Sequence, residues 1–101
     1  MKIYISGAIS NTDDFMERFA KAEKELTEQG YSVVNPAKVN AQLPEDTSYE
    51  EYMKMCFCMM DMCDSICMLK GWDKSCGANR ELGYAMAKKK TVFYEYELIN
   101  E

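Results

Sequence analysis

Four short runs of β-branched, aromatic and aliphatic residues recur along the chain, at 2–6, 31–34, 65–69 and 91–94, and helical periodicity fills the gaps between them. That alternation leaves little choice of fold. Antiparallel neighbours need only a tight turn, whereas parallel strands need a crossover of about a dozen residues or more. All three gaps are longer than that. The expected fold class is therefore α/β. One domain over residues 1–101 carries a parallel sheet of four to five strands with right-handed crossovers.

In the first gap, Phe15, Phe19, Ala22 and Leu26 form an amphipathic stripe. Asn11 or Thr12 is the expected cap, with Asp13 and Asp14 at the positive end of the helix and Gln29-Gly30 closing it. Asn35-Pro36 stops the second strand, because proline cannot donate to a ladder. Residues 37–48 show weak periodicity and contain Pro44, which predicts a loop over the edge of a site.

The next helix, at about 49–63, is capped by Thr47-Ser48 and has Glu50 and Glu51 in its first turn. After that turn it is apolar almost all round, with Lys54 and Asp61 as its only charges. One sheet face cannot cover two sides of a helix. A homodimer or higher even oligomer is therefore expected, with Met55, Met59 or Met62 at the contact. The alternative is a methionine-lined surface for an apolar ligand. The acidic tail after Tyr94 is expected to be partly ordered at best.

The third strand, opened by Asp64, leads into Gly71-Trp72-Asp73-Lys74-Ser75-Cys76-Gly77 and then a helix. Ligands of open α/β sheets bind outside the carboxyl ends of the strands, so this turn marks a candidate site. Ser75 reads as the helix N-cap, facing an anion together with the amides of Cys76 and Gly77. The first turn, Gly7-Ala8-Ile9, also places amides at a strand end. If these turns form an anion site, phosphate-bearing ligands are expected to bind modestly better than their nucleosides. The apolar stripe of the last helix runs through Ala78, Leu82, Ala85 and Met86. Glu81 falls about 40° outside its edge, a place neither fully solvated nor fully buried.

Composition narrows the chemistry. Lys+Arg number 12 against Asp+Glu 17, a formal net charge of −5, which argues against binding a nucleic-acid polymer. No apolar run is long enough for a membrane helix, and Met1-Lys2 leads straight into a strand pattern, so neither a membrane segment nor a signal peptide is expected. The five cysteines include no Cys-x-x-Cys pair, and the chain has no histidine. No metal and no cofactor are expected, and the free thiols read as a reducing, cytoplasmic composition. General acid or base work falls to carboxylates, Tyr, Lys or Cys.

Several of these pieces together resemble the nucleoside 2-deoxyribosyltransferase superfamily. They are Lys2-Ile3-Tyr4-Ile5-Ser6-Gly7, Asn35-Pro36, Asp64 before an apolar strand, and Gly71-Trp72-x-x-Ser75-x-Gly77-Ala78-x-x-Glu81-x-x-x-Ala85. The resemblance extends nearly to Tyr94 and is nearest to a small, often phage-associated uncharacterised branch, related to the deoxynucleoside 5′-monophosphate N-glycosidases. It implies a flavodoxin-like three-layer fold and chemistry on an N-glycosidic bond, with Glu81 as nucleophile on C1′ of a deoxyribose. It further implies that Tyr4 positions the nucleophile, that Ser75 lies near a phosphate, and that Gly7, Ala8, Ile9, Trp72 and Gly77 line the substrate site. The chain departs from the pattern at two positions. Cys56 stands where the superfamily has an aspartate that assists the leaving base. Ser10 stands where the monophosphate hydrolases have an arginine. Asp61, Asp64 and Asp73 remain as carboxylates for the acid role, with Asp64 the catalytic candidate.

Three functions follow as expectations. The first is hydrolysis of, or deoxyribosyl transfer from, a nucleoside or nucleotide through a glycosyl-enzyme intermediate. The second is a nucleotide-binding module without turnover, and the third is an oligomeric interaction protein of the same fold.

Overall fold

A computed structural model describes residues 1–9 and 13–99 of the chain. The expected cap at Asn11 or Thr12, the Ser10 position and the last two residues lie outside the described residues. Strand β1 (Lys2–Ser6) leads to α1 (Phe15–Glu28), β2 (Ser32–Val34) and α2 (Pro36–Asn40). Helix α3 (Tyr49–Asp61) and β3 (Ser65–Met68) follow, then a 3₁₀ turn (Trp72–Lys74), α4 (Cys76–Ala87), β4 (Thr91–Tyr94) and α5 (Glu95–Leu98).

The sheet is four-stranded and parallel in every pair, with strand order β2-β1-β3-β4. This is the flavodoxin-like α/β arrangement, and its order reverses between β1 and β3. Both central strands are buried on both faces, and the period-two alternation of side chains divides their work. Ile3 and Ile5 of β1 pack with Cys67 and Leu69 against Phe19, Ala22 and Leu26 of α1. Tyr4 points the other way, packing with Ile66 and Met68 against Cys56, Met59 and Met60 of α3 and Ala78 and Ala85 of α4. Phe19 and Leu26 are fully buried, each contributing roughly 1.5–3 kcal/mol.

The structure corrects several expectations. Residues 36–40 form a helix, because Asn35 acts as its N-cap, accepting from the amides of Ala37 and Lys38, and Pro36 occupies the first turn. The tail carries α5, and Ile99 beyond it is buried against the α1 side of the sheet. Helix α3 is buried on one side only. Met53, Cys56, Met59 and Met60 face inward, while Met55, Cys58 and Met62 are exposed. Met59 is thus not available to a partner. Met86, assigned to the apolar stripe of α4, is 63% exposed. Among the described residues no helix is long and apolar enough to cross a membrane.

Candidate active site

A cavity of about 500 Å³ opens at the carboxyl ends of β1 and β3, where the strand order reverses. Gly7 and Ile9 form its floor beside β1, and Phe15 and Met16 begin α1 at one wall. Helix α2 contributes Ala37 and Asn40, with Ala41 just beyond. Helix α3 contributes Tyr49, Tyr52, Met53 and Cys56, and α4 contributes Gly77, Ala78 and Glu81 behind Ser75. Gly7 lets β1 and β3 approach closely: a Cβ there would lie 3.1 Å from the Leu69 Cβ, so Leu69 would have to give by a few tenths of an ångström. Ser75 caps α4, its hydroxyl accepting from the amide of Ala78 at 3.1 Å.

Among the described residues Glu81 is the only charged side chain lining this cavity. It is 6% exposed, deeper than its place at the edge of the apolar stripe implies. The reason lies on the facing strand. Tyr4 and Ser6 share one face of β1, two residues apart, and both meet α4. The Tyr4 hydroxyl donates to Glu81 Oε2 at 2.6 Å, and the Ser6 hydroxyl donates to Oε1 at 2.6 Å. A carboxylate with each oxygen so paired can sit in a core that would otherwise exclude it.

These contacts set the titration of the site. Burial pushes the Glu81 carboxyl above its ordinary value of 4.5, and the donors Ser6, Tyr4 and Cys56 pull part of the way back. Burial and the neighbouring Glu81 charge raise the Tyr4 phenol well above its usual range. The Cys56 thiol is pushed up to about 11 by burial and by Glu81, so it is a neutral S–H at physiological pH. Asn40 Nδ2 lies 3.5 Å from its sulfur. At the mouth, Arg80 holds Glu50 at 3.0 and 3.1 Å and its guanidinium lies 5.5 Å from the Tyr49 ring centre, joining α3 to α4.

The structure brings together Tyr4, Gly7, Ile9, Ser75, Gly77 and Glu81. It leaves others apart. Asp64 lies at the amino end of β3, at the opposite end of the strands from the cavity, accepting from the Lys2 amide at 3.2 Å and the Ser65 hydroxyl at 2.8 Å. A residue that precedes a parallel strand cannot reach a cavity beyond the strand's far end. Asp61, bonded to the Tyr84 hydroxyl at 2.7 Å, does not line the cavity, and neither does Asp73. Trp72 faces a second groove with Tyr94 and Tyr96, and Ala8 is not among the lining residues. Ser6, Asn40, Tyr49 and Tyr52 were not singled out from sequence. Ser6 was findable, because it lies two residues beyond Tyr4 and shares its face.

A parallel flavodoxin-like sheet with a buried, hydroxyl-held carboxylate at its switch point defines an α/β protein with a small-molecule cavity. The solved structure of a 2-deoxyribosyltransferase from the psychrotolerant bacterium Bacillus psychrosaccharolyticus, characterised as a biocatalyst for nucleoside synthesis, has this fold. It superposes with a TM-score of 0.74 at 23% identity, over 93% of this chain and 71% of that one. No curated protein matches the sequence. The chain belongs to the family described as Domain of unknown function (DUF4406), whose match spans residues 1–94.

Proposed function

We propose that the chain cleaves the N-glycosidic bond of a deoxynucleoside, with Glu81 as the nucleophile. The observation that carries this reading is the carboxylate itself. It is buried at a cavity wall, held through both oxygens, and is the only charged group lining the cavity among the described residues. In the reaction a Glu81 oxygen bonds to C1′ as the C1′–N bond breaks, and the bonding electrons leave on the base nitrogen, which takes up a proton from solvent water. Water, or the nitrogen of a second base, then attacks C1′ and breaks the ester, and Glu81 leaves as the free carboxylate. This is the retaining glycosidase strategy, in which a carboxylate traps an oxocarbenium-like centre.

Among the described residues no Lys or Arg lines the cavity. A phosphate there would face the Glu81 charge without a cationic partner, so a neutral nucleoside suits the cavity better than a nucleotide. This reverses the preference for phosphate drawn from the turns. Incubation with a panel of deoxynucleosides and their 5′-monophosphates, followed by chromatography for free base, tests the reading. Base release is expected from nucleosides, faster than from monophosphates, and none from Glu81→Gln. Equal release by Glu81→Gln would remove Glu81 from the chemistry.

Cys56 favours a second reading, a binding module without turnover. With its thiol raised to about 11, it is a poor proton donor to a leaving base. Nucleoside binding with no base release across the panel would select this reading.

A further inference from the structure

We propose that Ser6 is a positioning residue: together with Tyr4 it fixes the plane of the Glu81 carboxylate and holds it in the charged form that attack requires. The inference rests on Glu81 as nucleophile and adds a residue that the resemblance does not assign. The two hydroxyls come from alternate positions of one strand and reach different oxygens at the same 2.6 Å. Each carboxylate oxygen has two acceptor sites, and with Tyr4, Ser6 and the Cys56 thiol as donors one of the four remains for the cavity side. Rotation of the carboxylate would break both bonds together. Ser6 is 1% exposed, so water cannot readily replace its hydroxyl.

The other titratable groups facing Glu81 are Tyr4 from β1 and Cys56 from α3, with the phenols of Tyr49 and Tyr52 elsewhere on the cavity wall. All four are neutral acids in their protonated forms, and no cation faces the carboxylate among the lining residues. Hydroxyl donors therefore supply the stabilisation of the charge that an arginine or lysine supplies elsewhere. Removing one of them should shift the balance towards the protonated acid.

The test compares Ser6→Ala, which fits the same space without the donor, with Ser6→Thr, which restores a hydroxyl. Carbon-13 NMR of labelled glutamate, with the Glu81 signal assigned by its loss in Glu81→Gln, reads the titration without any need for turnover. Ser6→Ala is expected to move the Glu81 midpoint upward by about one pH unit, and Ser6→Thr to restore at least half of that. In the base-release assay the acid limb of the pH profile should move with it, kcat falling about tenfold below the new midpoint with KM within about twofold. An unchanged midpoint in Ser6→Ala overturns the proposal. A shifted midpoint in a protein that releases no base leaves Ser6 as the carboxylate's positioner and overturns the enzyme reading instead.

Discussion

A single carboxyl sets the pH behaviour of this molecule. Burial holds Glu81 above its ordinary value of 4.5, so between that value and its folded midpoint the native state keeps a proton that the unfolded chain has lost. Stability must then fall as pH rises through this window, because the unfolded state binds fewer protons than the native one. Among the described residues no other shifted group titrates in this window. The chain has no histidine, Cys56 and Cys67 are raised to about 11 and about 12, and the shifted carboxyls of Glu50, Glu51 and Asp64 lie below their ordinary values. Urea midpoints measured from about pH 5 to 8 should decline for the wild type and stay nearly level for Glu81→Gln. A wild-type profile as level as the variant's would mean that burial does not dominate at Glu81. The sequence sets this residue just outside the apolar stripe, whereas the structure buries it. Periodicity counts glutamate as polar and sets it outside the stripe, but it cannot see two hydroxyls waiting on a strand 75 and 77 residues away.

Among the elements, α3 is the one whose ends and faces do most for the cavity. Its N-terminus is closed by a capping box: the Ser48 hydroxyl accepts from the Glu51 amide at 3.1 Å, and Glu51 Oε1 accepts from the Ser48 amide at 2.8 Å. Tyr49, Tyr52 and Met53 follow within the first turns and line the cavity. Ser48→Ala should cost about 1 kcal/mol in urea unfolding, read as a lower midpoint with an unchanged slope. No loss would show that Arg80 and its Glu50 partner hold this end without the cap. Strands and long helices were legible because their spacings differ, two against about four. The short helices were not. Asn35-Pro36 is both a strand stop and a helix start, and only packing against β1 and α1 decides between them. Asp64 was misplaced for a different reason. Its chemistry suited an acid, but its position before a parallel strand already assigned it to the wrong end of the strands.

For the whole molecule, two covered faces of one sheet use up most of the apolar surface; among the described residues the large apolar side chains left exposed are Met1, Met16, Val39, Tyr49 and Tyr96, together with three methionines on the α3–α4 side. Met55 is 38% exposed, Met62 59% and Met86 63%. A homodimer formed through this side is the expected state, and light scattering at high micromolar concentration should return twice the 11.7 kDa mass of the chain. A monodisperse monomer would assign these methionines to solvent. Strand β1 couples folding and chemistry in a way that bears on how such a chain can change over generations. Ile3 and Ile5 serve the core on one face, and Tyr4 and Ser6 serve the carboxylate on the other. Point substitutions can therefore explore new reactivity on the second face with the first left intact. A deletion or insertion of one codon within the strand exchanges the two faces, putting isoleucine against the carboxylate and hydroxyls against α1. Descent with altered specificity is open to this strand by replacement, and closed to it by a one-residue change of length.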